Sequence, residues 1–374
     1  MSGIYIHIPF CKQACHYCDF HFSTSLKLKD ELIDCLIREI DLQKYYLPSN
    51  ILETIYFGGG TPSILKAEDL NRILDHVYDT FEIIPNPEIT CESNPDDLSE
   101  QKLKELTKIG FNRLSIGLQS FDDEILKSFN RAHDSSMGLQ CIERSKAHGI
   151  SNLSIDLIFG APNQTNEQLQ KDLMIIEKLD IPHVSIYGMT IEDNTVFGKR
   201  YQKGQLIPLD DEIAAQQFEI IMKELQRMGY TQYEISNFAR QGYKSKHNSS
   251  YWKSTSYLGI GPSAHSFDGT SRQFNVSNNA HYIRSLRQDR IPFEKEELSH
   301  EDQINERILI QLRTINGLDI RSLIDEFQYD ILQVKRTELA TLENQKFIII
   351  DNQNLKLTDN GKLLADSVIE KLII

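Results

Sequence analysis

The segment Tyr5-Ile6-His7-Ile8-Pro9-Phe10-Cys11-Lys12-Gln13-Ala14-Cys15-His16-Tyr17-Cys18-Asp19-Phe20 joins a strand to a reactive loop. Its first residues place isoleucine at every second position, the period of a strand. Three thiols then follow at CxxxCxxC spacing. The C-terminal end of the first strand therefore carries the chemistry. Three thiolates on a four-iron cube leave one iron unsatisfied, so an exchangeable ligand must complete it. A zinc reading is weaker, because zinc usually takes four ligands in two pairs. No fourth cysteine follows Cys18 closely, although His16 or His21 offers a nitrogen.

Outward from this segment the same unit recurs. Strands are read near Tyr5–Ile8, Thr54–Phe57, Glu88–Glu92, Arg113–Gly117, Leu153–Phe159 and Val184–Met189. Helical spacing of apolar residues runs through Lys29–Lys44, Glu68–Thr80, Glu100–Ile109 and Ser136–His148, the last two stopping at Gly110 and Gly149. Thr165 and Gln168 make a capping box for a helix over Asn166–Leu179. Strands alternating with helices imply a parallel sheet. Six units are too few for a closed eight-stranded barrel and fit a partial, TIM-like (β/α)6 barrel. Chemistry in such barrels sits at the C-terminal strand ends.

Past residue 200 the pattern changes. Asp211–Met228 is helical, and Tyr230–Phe274 is rich in Gly, Ser and aromatics without a clear period. Helices follow near Glu301–Thr314, Ile320–Phe327 and Ile331–Glu343. A hairpin-like pair comes next, Phe347–Asp351 and Leu355–Thr358, and then a last helix to Ile374. The expected organisation is α/β: a barrel over 1–200, a connecting segment over 201–295, and a smaller, mainly helical, winged-helix-like domain over 296–374.

The chain has 374 residues, enough for one large core and a smaller one. Its net charge of -14 argues against nucleic acid as a partner and against a DNA-binding role for the winged-helix-like domain. No stretch approaches the roughly 20 apolar residues of a membrane helix. No basic leader precedes an apolar run, so a cytoplasmic protein is expected. Cysteines in that compartment serve metal or redox chemistry more often than disulfides. Cys35, Cys91 and Cys141 are scattered and read as ordinary buried residues.

Each later strand also delivers polar or flexible residues to the same rim. These are Gly58-Gly59-Gly60-Thr61-Pro62, Glu92-Ser93-Asn94-Pro95, Gly117-Leu118-Gln119, Asp156 before Phe159-Gly160, and Tyr187-Gly188-Met189. Consecutive glycines let backbone approach a ligand closely. Arg131, in Asn130-Arg131, offers a bidentate fork for a carboxylate. Together they suit a ligand with an amino group and ribose hydroxyls.

The ordered set HIPFC…CxYC, GGGTP, E-x-N-P, GLQSF, N-R-A-H and DLIFGAP resembles the radical S-adenosylmethionine proteins, and among them the oxygen-independent coproporphyrinogen III oxidase-like group. The resemblance spans nearly the whole chain. It implies that Cys11, Cys15 and Cys18 hold a [4Fe-4S] cluster whose open iron takes S-adenosylmethionine. It also implies that Tyr5, Gly59 and Glu92 contact that cofactor, and that Gly60, Thr61, Gln119, Arg131 and Asp156 hold one or two such molecules.

Two departures from the oxidases point to a sister group of heme chaperones. The oxidases carry a further cysteine where this chain has Phe20, and an N-terminal extension before a strand that here starts at Ile4. Lys246-His247-Asn248-Ser249-Ser250-Tyr251-Trp252 fits that group's HNxxYW motif. By this resemblance His247 is the expected heme-iron ligand, Tyr251 and Trp252 are heme contacts, and His265 is a second candidate ligand. The implied partners are heme, heme-accepting proteins (membrane cytochromes among them, which would bring the chain to the inner membrane's surface), an electron donor for the cluster, and a second copy of the chain. Competing readings are an oxidase that decarboxylates porphyrinogen propionates, a radical methyltransferase and, least of all, a transcription regulator.

Overall fold

The computed structural model describes residues 2–351 and 353–374. Six strands, β1 (Ser2–Ile8), β2 (Ile51–Gly59), β3 (Glu82–Ser93), β4 (Arg113–Gln119), β5 (Asn152–Phe159) and β6 (His183–Gly188), pair in chain order and in parallel. Between them lie α1 (Lys29–Gln43), α2 (Ala67–Thr80), α3 (Glu100–Lys108), α4 (Asp123–Ser128), α5 (Ser135–Ala147) and α6 (Asn166–Leu179). This is the α/β partial barrel that the alternation predicts. The capping box at Thr165 and Gln168 is formed. The sequence reading missed α4, which is too short to show a period.

The strands bury one face against the helices and turn the other to the barrel interior. Ile4, Ile6 and Ile8 are fully buried in the same core as Leu32, Leu36 and Ile40 of α1. Tyr5 and His7, on the alternate face, belong to an interior that is polar throughout: Thr54, Tyr56, Glu88, Thr90, Glu92, Arg113, Ser115, Ser154 and Asp156. A polar lumen forgoes the packed aliphatic layers usual in such barrels. That is a cost accepted where a ligand is to be held.

After β6 come α7 (Val196–Gln202), α8 (Asp211–Arg227), β7 (Thr231–Glu234), β8 (Asn237–Ala239), α9 (Lys246–Tyr251), β9 (Tyr257–Ile260), β10 (His265–Phe267), β11 (Ser271–Asn275), α10 (Asn279–Leu286) and β12 (Phe293–Glu297). The segment 201–295, expected to be a connector, instead extends the sheet at both edges. β8 adds antiparallel to β6 and β7 antiparallel to β8, while β9 lies parallel to β1 and leads on to β10, β11 and β12 in a 12-stranded sheet. These strands are mostly three to five residues long, too short to display a clear alternation.

The remainder has its own core, from Ile304 to Leu372. It comprises α11 (His300–Leu312), β13 (Leu318–Asp319), α12 (Ile320–Phe327), α13 (Ile331–Val334), α14 (Arg336–Asn344), β14 (Ile348–Asp351), β15 (Asn354–Leu357), α15 (Asp359–Leu363) and α16 (Ala365–Leu372). Three helical layers and a small sheet of order β13-β15-β14 give the winged-helix-like form. The final helix read to Ile374 is split in two at Leu364.

One buried carboxylate fastens the added strands to the first helix. Glu39 of α1 accepts hydrogen bonds from the Gly261 N–H at 2.8 Å, the Asn275 amide at 2.7 Å and the Tyr282 hydroxyl. Removing it strands the Gly261 N–H and the Tyr282 hydroxyl in the core and leaves the Asn275 amide only the Gly261 carbonyl at 2.9 Å. Glu39→Ala is therefore expected to lower the unfolding free energy by roughly 3 kcal/mol in urea denaturation. An unchanged midpoint would contradict this anchoring.

Candidate functional site

The cysteine loop crosses the C-terminal strand ends because it is tied there at several points. Phe10 bridges to Ser23, the Cys11 N–H reaches the Ser23 carbonyl at 3.1 Å, and the Ser23 N–H reaches that of Pro9 at 2.9 Å. Asn130, after α4, donates to the Ala14 carbonyl at 2.8 Å and accepts from Gln13 at 2.7 Å. Tyr17 packs edge-on against Phe129, ring centroids 5.0 Å apart. Cys11, Cys15 and Cys18 are half-buried free thiols, while Cys35, Cys91 and Cys141 are buried, as expected.

Hydrogen-bond donors surround the sulfurs. Thr61 Oγ1 lies 3.5 Å from Cys11 Sγ, and Arg131 donates through Nη1 to Cys15 Sγ at 3.3 Å. The other arm of Arg131 donates to Asn94 Oδ1 and to the Gly117 carbonyl, both at 2.6 Å. The fork expected to hold a ligand is thus committed largely to the protein. Its buried Nε has no partner. Burial pushes the Cys18 thiol up to about 11 and raises that of Cys11 as well. Bound iron would offset that cost by drawing the thiolate form, with release of protons.

The adjoining strand ends form a cradle. A Cβ on Gly58 would fall within 2.8–3.0 Å of Tyr56, Tyr5 and Glu92, so only glycine leaves that space open. Gly59 has φ of 108° and donates its N–H to Glu92 Oε2 at 3.1 Å. Tyr56 donates to Glu92 Oε1 at 2.7 Å. Gln119 takes a left-handed φ of 69° at a register shift in β4, and its amide lies over Gly117. Such strain in a non-glycine residue clusters at binding sites. Ser115 Oγ is 3.3 Å from both oxygens of Asp156.

Burial raises the carboxyls of Glu92, to about 7, and of Asp156. Arg113, 2% exposed, opposes both shifts with its charge. Sequence reading gave no role to Arg113, Asn94, Asn130 or Tyr56. For Asn94 and Asn130 the signal was there, inside the E-x-N-P and N-R-A-H motifs.

The donor set fits the groups the motifs imply in its chemistry, while among the described residues no three Cys, His, Asp or Glu side chains stand close enough together to hold a metal ion. Cys11, Cys15 and Cys18 would hold a [4Fe-4S] cluster, and Gly59, Gly60, Thr61, Glu92, Gln119 and Asp156 would line the place for S-adenosylmethionine. A cluster with one open iron supplies one-electron chemistry to the ligand that completes it. The protein's part would be to present the thiols, with Arg131 fixed against Cys15 and Asn94, and a carboxylate acceptor for an ammonium group, Glu92, held by Tyr56 and Gly59.

His247, expected from the resemblance to ligate heme iron, lies at the opposite end of the strands from the cysteine loop. It is 1% exposed, with Nδ1 2.7 Å from Thr54 Oγ1 and Nε2 2.8 Å from the Tyr251 hydroxyl. Its ring stacks on Tyr56 at 4.8 Å. Neither nitrogen is free for iron. The whole of α9 plugs the floor of the barrel, since Glu88 accepts the N–H groups of Lys246 and His247 at 3.1 and 3.0 Å. The strand level of Gly3, which His247 touches, and that of His7 are four residues apart, roughly 13 Å. Tyr251 spends its hydroxyl on His247, and Trp252 is half-buried beside it. His265 is exposed at the start of β10 and stacks on Phe274 at 5.7 Å.

Two predictions follow from the geometry. Glu92 is ionised only above about 7, so S-adenosylmethionine affinity of the cluster-loaded protein should rise as pH climbs through that value, and Glu92→Gln should flatten the profile in equilibrium binding. His247→Ala should cost roughly 3 kcal/mol of stability through a cavity and two lost partners, with the iron content of the cluster retained. Unchanged stability in chemical denaturation would contradict the floor-plug role.

Comparison with known proteins agrees with this architecture. Residues 5–175 match the radical SAM superfamily and residues 298–364 the HemN C-terminal domain. The chain is 35% identical to the heme chaperone HemW of Lactococcus lactis, covering 100% of this chain and 97% of that one. It is 36% identical to the heme chaperone HemW of Bacillus subtilis, covering 98% of each. Coproporphyrinogen III oxidase (HemN) from Escherichia coli shares the fold, with a TM-score of 0.86 at 22% identity over 100% of this chain and 90% of that one. With three thiols on a rim loop, a HemN-type C-terminal domain and full-length relatives at this identity, the chain belongs to the radical S-adenosylmethionine superfamily and, within its coproporphyrinogen III oxidase-like group, to the HemW family.

Proposed function

We propose that this chain is a heme chaperone. It binds heme in a fold that also carries a [4Fe-4S] cluster and S-adenosylmethionine, and it passes heme to acceptor proteins, respiratory cytochromes among them. The observation that carries the reading is Phe20. It stands where the oxidases carry a further cysteine, and it is 75% exposed just past Cys18. The names of the full-length relatives support it.

Beside the cysteine loop an oxidase reading fares worse on charge: coproporphyrinogen brings four carboxylates, and there Arg131 is already held by Cys15, Asn94 and Gly117, and Lys12 by Asp96 and Asp97. No helix among the described residues is long and apolar enough to cross a membrane. The proposed setting is the cytoplasm, with peripheral contact at the inner membrane where acceptors are membrane cytochromes. An external electron donor would reduce the cluster.

The test is anaerobic. Protein with a rebuilt cluster, titrated with hemin, should show a saturable one-to-one Soret change, and the bound heme should move to an apo-cytochrome. Conversion of coproporphyrinogen to a vinyl product under reducing conditions would overturn the reading in favour of the oxidase.

A further inference from the structure

Both ring nitrogens of His247 are engaged in the floor, at the far end of the strands from the cysteine loop. A cleft of about 870 Å³ opens at the same rim as the cysteine loop, between the ends of β5 and β6, the start of α8 and the C-terminal module. Its barrel wall carries Phe159, Met189 and Phe218, and its opposite wall carries Phe347, Leu363 and Leu364. Ligand pockets commonly run from roughly 300 to 1,000 Å³ and are mostly apolar with few polar groups. Phe159 packs on the barrel core and Phe347 on the C-terminal core, so the space is a slot between two bodies rather than a packing defect within one.

The mouth is apolar and open. Tyr201 is 52% exposed and Leu364 46%, and Ile207, next to the lining Pro208, is 80% exposed. Large apolar side chains gathered at one opening mark a binding site rather than ordinary surface. Charge selects the occupant. Lys199, Arg200 and Lys203 flank Tyr201 in sequence, all exposed, and among the described residues their side chains make no ion pair or hydrogen bond. Free cations gathered here are unexpected in a chain of net charge -14. One carboxylate, Asp211, lies in the lining.

A flat apolar ligand with an anionic edge matches this combination. We propose that the cleft is the heme seat, with the porphyrin between the Phe159–Phe218 wall and the Leu363–Leu364 wall and its propionates towards Lys199, Arg200 and Lys203. The proposal rests on the heme-chaperone reading and gives that reading a location. Met189 and Tyr201 each carry an atom that ligates heme iron. The Tyr201 hydroxyl makes no hydrogen bond among the described residues, so it is free to turn inward. The C-terminal module thereby gains a role that its acidic chain denies it with DNA: it forms half of the seat.

The experiment uses the full chain with its cluster rebuilt, titrated anaerobically with hemin. Ala215→Trp fills the cleft from a partly exposed position of α8. The double variant Lys199→Glu with Arg200→Glu reverses the edge without touching the packing. Each should weaken hemin binding by about tenfold or more, the double variant in a salt-sensitive way, while iron content and S-adenosylmethionine binding stay at the wild-type level. Wild-type hemin affinity in both variants, with loss in His265→Ala, would overturn the cleft and move the heme to the β10 side, leaving the chaperone reading intact. Absence of saturable binding in the unaltered protein would overturn the chaperone reading and the cleft together.

Discussion

Arg131 holds the site together. One guanidinium reaches the Cys15 sulfur, the Asn94 side chain and the Gly117 carbonyl, and so joins the cysteine loop to the ends of β3 and β4. A fixed planar fork can serve three partners at once, which a lysine ammonium on a flexible stem does poorly. It adds to the ties that Asn130, Ser23 and Phe129 make to the loop leaving β1, and it is the one that joins the Cys15 sulfur to the strand ends. The parallel order of β1 to β6 is what brings those parts within its reach.

The second constraint is polarity inside the barrel. Glu88, Glu92, Arg113 and Asp156 all sit in the lumen, where unpaired charge is expensive. The structure resolves this in two levels. At the floor, Glu88 accepts the N-terminal N–H groups of α9, and His247 fills the space beside Gly3 and Thr54. Towards the rim, Glu92 and Asp156 keep raised carboxyls, opposed by Arg113 and by hydrogen bonds from Tyr56, Gly59 and Ser115. The lower level is closed and structural, and the upper level is left open to a ligand.

The sequence showed the upper level well. Strand period, the CxxxCxxC spacing and the glycine run are local signals, and each falls where a strand ends. It showed the added strands poorly, because β7 to β11 hold three to five residues each and carry Gly, Ser and aromatics for reasons of close packing. The HNxxYW segment is ambiguous in sequence for a related reason. A histidine between tyrosines reads the same whether it awaits iron or is stacked on Tyr56 and bonded at both nitrogens. Only the pairing of Gly3 with Thr54, and the approach of α9 beneath them, separates the two meanings. The cleft between β5, β6 and the C-terminal module was not legible at all, since its walls come from stretches nearly 200 residues apart.

The account turns on cluster and heme sharing the rim while the floor stays shut. Anaerobic hydrogen exchange on the cluster-loaded protein, with and without hemin, examines this directly. Protection should appear at the end of β6, in α7, at the start of α8 and in α15, with exchange in α9 and β9 already slow and unchanged. New protection confined to α9, or opening of the floor when hemin binds, would contradict it.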